Sequence, residues 1–320
     1  TGVGVDAYSL IEQGKVDPHA DIRKYIPDFS IRILDEGEAL ITVNHLLTHT
    51  SGLTYGFHHV HPTDELYRDA GYDLGAPKGA TLADACDAWA RVPLRFQPGT
   101  AYMYSLATDV CGALVEHLSG VPFAEYLQRH ILGPLGMADT SFQVAADKLP
   151  RFAANYARKP DKTTTLLDDP ATSSFTRPPA FVSGGGGLTG TVADYIRFCE
   201  MLRRGGELDG RRIIGPRTLD LMRMNHLPGG KDLAALDVDL LTLYGNIGVG
   251  FGLGFASTID QVATGALARG DYYWGGAAST VFWVDPIEDL WVVFMTQLMP
   301  SVSFDFRGQL RSLVYSAIVD

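Results

Sequence analysis

Cysteine is scarce in this chain: Cys86, Cys111 and Cys199 are the only three in 320 residues. They lie far apart, form no C-x-x-C and match no zinc-ligand spacing, which argues against a disulfide framework and for a reducing, cytoplasmic setting. Long apolar runs are missing too. None approaches the ~20 residues that a spanning helix needs, so no membrane span is expected. The first residues lack a basic stretch followed by an apolar core and do not read as a signal peptide. Positive charge is in short supply, with 26 Lys and Arg against 37 Asp and Glu and a net charge of -11. Nucleic-acid binding rests on cations that neutralise phosphates, and no basic stripe is present, so that partner class is excluded. Neither G-x-x-x-x-G-K-[ST] nor G-x-S-x-G occurs, which removes P-loop NTPases and ordinary α/β-hydrolases.

What is present is a chain long enough for a large core, 46% hydrophobic and 20% charged. Such a composition fits a soluble globular protein. Apolar spacing predicts a helix over residues 1–13, with Val3, Ala7, Leu10 and Ile11 on one face and Gly14 as its stop. Further helices are expected at 43–49, at 81–90, downstream of Ser105 (Val110, Leu114 and Leu118, with Cys111 and Val115 beside them), and after Pro122. Residues 54–80, rich in Gly, Pro, His and Tyr, read as a long surface loop, a feature that often borders a site. Residues 143–179 read as irregular with short strands. Thr191 and Asp194 form a capping box for a helix that buries Tyr195, Phe198, Met201 and Leu202. Pro216 begins another.

The C-terminal third changes character, with strands expected at 250–255, 271–274, 280–284 and 290–295. A last helix carries Leu310, Leu313, Val314, Ala317 and Ile318 on one stripe. The expected fold is therefore α/β of the α+β type: an antiparallel sheet flanked by helices (245–320) plus a mostly helical portion (20–235).

Tyr104 and Ser105 stand where a Pro98-Gly99 turn gives way to a helix, and unpaired N–H groups at such a mouth favour a phenolate or an oxyanion. The same residues also suit a plain role, Ser105 as an N-cap and Tyr104 as a rim aromatic. His45 and His49, four apart, lack the glutamate of a zinc protease, and His58-His59-Val60-His61 with Asp64 misses the H-x-H-x-D-H spacing, so no metal and no cofactor is expected. Gly185-x-Gly187-x-x-Gly190 matches a dinucleotide fingerprint only formally, since no strand precedes it. In Trp274-Gly275-Gly276-Ala277, two glycines let another group approach the backbone and leave N–H groups such as that of Ala277 free to donate, or else mark an edge bulge.

In combination these segments are specific. Leu46-Leu47-Thr48-His49-Thr50-Ser51-Gly52-Leu53, Pro98-Gly99-Thr100 leading into Tyr104-Ser105, Gly184 to Leu188, Gly250 to Phe255 and Trp274-Gly275-Gly276 occur in order over almost the whole chain. The chain thereby resembles the serine β-lactamase-like hydrolases, which include class C β-lactamases, D-alanyl-D-alanine carboxypeptidases and family VIII carboxylesterases. It looks most like the esterase branch. The Tyr-x-Asn motif falls on Tyr104-Ser105-Leu106, so Leu106 replaces an amide; the Lys-Thr-Gly motif falls on Trp274-Gly275-Gly276, so an apolar wall replaces a cation.

The resemblance implies a β-lactamase/transpeptidase-like domain that cleaves short-chain esters through an acyl-enzyme. Tyr104 is its base, the Ala277 N–H its oxyanion donor, and Trp274, Gly275, Gly276, Ser105, Leu106 and Tyr55 its substrate-binding residues. Acyltransferase, β-lactamase or peptidase activity on the same fold is the neighbouring alternative. The family's nucleophile belongs to a Ser-x-x-Lys motif that occurs nowhere in these residues. Alignment of the first helix puts that lysine just upstream of Thr1, so residues 1–320 are expected to be a single domain lacking its N-terminal part; a chain that truly began at Thr1 would be an inactive binding protein. The expected partner is a small-molecule ester, and the oligomeric state is left open.

Overall fold

The computed structural model describes residues 2–27, 29, 32–33, 37–73, 75–238 and 246–319. Its helices include α1 (Gly2–Glu12), α2 (Val43–Leu47), α3 (Pro62–Asp69), α4 (Leu82–Trp89), α5 (Ala107–Ser119), α6 (Phe123–Leu127), α7 (Val192–Arg203), α8 (Pro216–Met222) and α9 (Phe306–Ser316). Its strands include β1 (Asn155–Arg158), β2 (Thr164–Asp168), β3 (Val249–Phe251), β4 (Ala256–Thr258), β5 (Tyr272–Gly276), β6 (Thr280–Asp285), β7 (Leu290–Phe294) and β8 (Leu298–Met299).

Strands β3 to β7 form one antiparallel sheet in the order β7-β6-β5-β4-β3. Side chains alternate across a strand, and β6 uses both faces. Phe282 and Val284 join the core cluster that α7 enters through Phe198, Met201 and Leu202. Val281 and Trp283 point the other way, where α9 lays Leu310, Val314 and Tyr315 against them and Ile318 joins from just beyond its end. Tyr315 stacks on Trp283 with ring centroids 6.5 Å apart, and its hydroxyl donates to Asp285 Oδ2 at 2.8 Å. Helices thus cover both faces, which explains why β6 carries no polar alternation. On the α7 side the Trp291 indole N–H of β7 donates to Glu200 at 2.8 Å. Arg203 above all, then Arg204 and that bond, hold the carboxyl down at about 2.

In the helical portion α5 is the hub, touched by α1, α2, α4 and α6. Its residues Val110, Cys111, Leu114 and Val115 are fully buried. Gly120, at φ 69°, ends it in the left-handed cap that only glycine adopts without strain. In α1, Ala7 and Leu10 are buried as their spacing predicts, while Thr1 and the side chain of Val3 lie outside the described residues.

Four expectations need correction. Residues 54–80 are not a simple loop: they contain α3, capped by the His61 ring, which accepts the Thr63 N–H at 3.2 Å, and they bury Tyr67 completely. An imidazole cap carries no Ser/Thr/Asp signature, so the helix start was invisible to pattern. Residues 250–255 are not one strand. Gly252 N–H donates to Phe255 O at 2.7 Å, and the resulting turn ends β3 at Phe251 and leads into β4, which begins at Ala256. The Thr191 hydroxyl does cap α7 by accepting the Asp194 N–H at 3.2 Å, but Asp194 completes no box. Its carboxylate accepts instead from Asp139 N–H at 2.7 Å and the Thr140 hydroxyl at 2.8 Å, tying α7 to the chain after α6. In α9, Leu313 is 68% exposed and Tyr315 takes the buried place.

All three cysteines are free and buried. Among the described residues no helix is long and apolar enough to cross a membrane.

Candidate active site

The site is assembled by the irregular run between the Pro98-Gly99 turn and α5. Gly99 sits at φ 80°, where a Cβ would lie 3.2 Å from His45 Nε2, and its N–H donates to Thr50 O at 2.8 Å. Tyr102 N–H then reaches Leu236 O at 2.8 Å. Tyr104 follows, half-buried, in a nest of rings. Its centroid lies 4.7 Å from His49, 5.4 Å from Trp274 and 5.8 Å from Tyr55. Phe251 of β3 closes the far side, 5.2 Å from Trp274 in an edge-to-face contact, and Phe57 stacks on Tyr55 at 4.7 Å. The helical portion thus supplies Tyr55 and Tyr104, and the sheet supplies Phe251 and Trp274.

These apolar walls shape the electrostatics. Desolvation is the main cause that raises the Tyr104 phenol above its ordinary range; the Trp274 side chain opposes the rise, and the Asp109 charge adds to it. Tyr55 is raised further, first by burial and then by the nearby Tyr104 and Asp109. Neither phenol ionises near neutrality in these surroundings.

Trp274, Gly275 and Gly276 end β5 at the same place. A Cβ on Gly275 would lie 3.0 Å from Thr280 O, and one on Gly276 would run into the Thr280 hydroxyl across the hairpin. Ala277 opens the turn Ala277–Ser279 and is exposed, and its N–H has no acceptor among the described residues.

Two residues expected to bind substrate are placed otherwise. Ser105 is 0% exposed; its Oγ accepts the Ala107 N–H at 3.3 Å, so it caps the start of α5 from inside. Leu106 is 3% exposed within the core cluster. The turn into α5 points both side chains at the protein interior, because the first turn of this central helix is covered on the α2 side. Neither offers surface to a ligand.

Four of the histidines flagged by spacing, His45, His49, His58 and His61, make hydrogen bonds elsewhere. The His45 ring completes the cap of α2 by accepting the Thr42 N–H at 3.3 Å, and His61 caps α3. His49 Nδ1 accepts the Ser105 N–H at 3.2 Å, and His58 Nε2 donates to Tyr104 O at 3.1 Å.

Asp109, in the first turn of α5, was not singled out by pattern. It is 3% exposed, and its Oδ1 accepts from the Ser183 hydroxyl and, at 3.4 Å, from Gly185 N–H. Burial pushes its carboxyl up to about 6 against the pull of those donors. The glycine run at 183–187 is thereby strapped beside the site. A Cβ on Gly185 would lie 3.0 Å from both the Tyr55 hydroxyl and Thr108 Oγ1, and one on Gly184 would strike Thr108 O. These glycines serve close backbone approach rather than dinucleotide binding. Five consecutive residues, Ser183 to Gly187, opposite an acidic helix mouth were the available signal.

The chain as a whole has counterparts among known proteins. Residues 2–315 match the family described as Beta-lactamase, and the chain belongs to that family. A protein of Mycobacterium tuberculosis named Rv1367c is 32% identical, with 93% of this chain and 75% of that protein covered. Esterase EstB of Burkholderia gladioli is 31% identical, covering 98% of this chain and 79% of its own. Among solved structures, EstCE1, titled a hydrolase with promiscuous acyltransferase activity, superimposes with a TM-score of 0.83 at 26% identity, over 98% of this chain and 82% of that one.

Proposed function

We propose that this protein is a carboxylesterase that hydrolyses short-chain, electrically neutral acyl esters through a serine acyl-enzyme, with 1–320 forming one domain. The observation that carries the reading is the pairing of Tyr104 with Trp274 at a ring separation of 5.4 Å, because the family's cationic position holds an indole. An indole gives an apolar wall and one N–H and leaves no ammonium for a substrate carboxylate. The likeness to EstB and EstCE1 supports the same reading. Acyl transfer to an alcohol other than water is the second reading, favoured by the EstCE1 title.

In this scheme Tyr104 removes the nucleophile's proton, later returns it to the leaving alcohol, and then activates water. The Ala277 N–H, exposed and without an acceptor, supplies half of the oxyanion hole, a donor typically worth about 3 kcal/mol. Tyr55 lines the acyl pocket, with Gly275 and Gly276 admitting the substrate along β5. A desolvated phenol does not ionise unaided near pH 7, so the scheme needs a cation close to Tyr104. The lysine of a Ser-x-x-Lys motif has that role in the family, and the motif does not occur within the 320 residues. Intact mass and N-terminal sequencing of the natural protein test whether a Ser-x-x-Lys motif accompanies these residues. The buried free cysteines fit a cytoplasmic placement.

With the full-length protein, p-nitrophenyl butyrate should be hydrolysed, and Tyr104→Phe should lower kcat by about 10²–10⁴-fold, the usual contribution of a general base. Wild-type turnover in that variant rejects Tyr104 as the base.

A further inference from the structure

The histidines at 49 and 58 are left over by the mechanism: both are buried, at 2% and 7% exposure, and no group of three or more ligating side chains that could hold a metal occurs among the described residues. Their hydrogen bonds converge on one place. Met103 N–H donates to the His49 backbone carbonyl at 2.9 Å, and Ser105 N–H donates to His49 Nδ1 at 3.2 Å. The residue between those two donors is Tyr104. Its own carbonyl accepts from His58 Nε2 at 3.1 Å. The stretch 103–105 belongs to no strand or helix, so it has no ladder to fix its peptide planes.

We propose that His49 and His58 are positioning residues that clamp the peptide groups on both sides of Tyr104 and thereby aim its hydroxyl, without moving a proton themselves. This rests on the reading of Tyr104 as the base. The donors fix the tautomers. Nδ1 of His49 accepts an N–H, so its proton is on Nε2; a carbonyl can only accept, so His58 carries a proton on Nε2. His49 sits at φ 55°, the left-handed region that asparagine shares but most residues avoid, and this conformation turns its carbonyl and its ring toward the same strand of chain. Its ring also packs edge-on against Phe251 at 5.6 Å and Tyr102 at 5.9 Å, which leaves it little room to swing away. Burial holds its imidazole neutral down to about pH 3, so the accepting nitrogen stays available over the working range.

The test uses the full-length enzyme and separates kcat from KM. Asparagine at 49 places Oδ1 where Nδ1 stands and tolerates the backbone; glutamine there carries its oxygen one bond too far. Glutamine at 58 offers an amide N–H at the position of Nε2. His49→Gln and His58→Leu should lower kcat by about 10²-fold with KM changed less than about threefold, the scale of a misplaced reacting group. His49→Asn and His58→Gln should stay within about fivefold of wild type, with circular dichroism and melting temperature confirming folded protein. Wild-type kcat in folded His49→Gln and His58→Leu overturns the proposal, as does equal inactivity of the conservative and disruptive variants. Should a disruptive variant fail to fold, its conservative partner decides: near wild-type kcat supports the clamp, and a kcat as low as that of Tyr104→Phe overturns it. Tyr104→Phe run in parallel distinguishes failures: full activity there rejects the base itself, whereas inactivity there beside unaffected histidine variants rejects only the clamp.

Discussion

The rings of Trp274 and Tyr104 lie 5.4 Å apart and are tilted by 42°, so burial raises the phenol's pKa while the Trp274 side chain, which stands where the family has a cation, opposes that rise. The ring contributes twice: it forms an apolar wall, and it brings one N–H donor to the neighbourhood of the phenol. Tyr104 is held from the other side by His49, so the helical portion and the sheet meet on one phenol.

The two contributions of Trp274 separate by substitution. Trp274→Phe keeps the wall and loses the donor, and a hydrogen bond to a charged group is worth ~1.5–3 kcal/mol, so kcat for a neutral ester should fall by about 10- to 100-fold with KM nearly constant. Trp274→Lys restores a cation and should move the ratio of cephalosporin to butyrate-ester turnover upward by at least tenfold. Steady-state kinetics on p-nitrophenyl butyrate and a chromogenic β-lactam read both. An unchanged ratio in the lysine variant removes the wall as the source of substrate preference.

The main elements were legible because they repeat at the helix and strand periods. The α5 core stripe, the α7 stripe with its Thr191 cap and the apolar β6 strand follow from residue spacing alone. Tyr104 and Trp274 were legible as a pair only through the order of several short motifs. What pattern could not give are contacts closed by distant residues: the Asp109 strap joins positions 74 apart through Ser183, and the His49 bond to Ser105 spans 56. Ser105 and Leu106 were misplaced for a related reason. Sequence identifies the turn into α5, but which side chains face the cleft depends on what packs around the first turn of that helix. In α3 the imidazole of His61 does the work of a hydroxyl cap, and in the 250–255 run the turn at Gly252 to Gly254 was hidden inside an alternating pattern.

Asp109 should write its burial into the pH dependence of stability. Its carboxyl titrates at about 6 in the folded protein against ~3.9 in an unfolded chain, so the folded state holds the extra proton between those values. Stability from this group is fully present below about pH 4 and is lost as pH rises through 6, a change of about 3 kcal/mol. Asparagine does not titrate. The stability of Asp109→Asn relative to wild type should therefore increase by about that amount from pH 4 to pH 7, whatever fixed cost the amide carries. Urea unfolding at four pH values measures the difference directly, and a constant offset across the range contradicts a buried, titrating carboxyl.

Gly184 presses the 183–187 strap against the backbone of Thr108, whereas Gly185 presses it against side-chain ends, the Tyr55 hydroxyl and Thr108 Oγ1, so one added methyl group should act differently at each. At Gly184 the new Cβ would strike the Thr108 carbonyl, which is backbone in the first turn of α5 and does not yield. Overpacking of that kind costs ~1–3 kcal/mol or more, and Gly184→Ala should lower the melting temperature while also releasing the strap. At Gly185 the new Cβ would lie 3.0 Å from the Tyr55 hydroxyl, the end of a side chain able to tilt by a few tenths of an ångström. Tyr55 would tilt toward Tyr104, whose ring centre is 5.8 Å away, and narrow the pocket between them. Gly185→Ala should accordingly melt close to wild type yet discriminate more sharply by acyl length, with kcat/KM for a p-nitrophenyl hexanoate falling at least tenfold relative to the acetate; that factor is the size of one to two methylenes misfitted in an apolar pocket, at ~1–3 kcal/mol. Equal selectivity for acetate and hexanoate in the folded variant and in wild type means that Tyr55 does not line the acyl pocket.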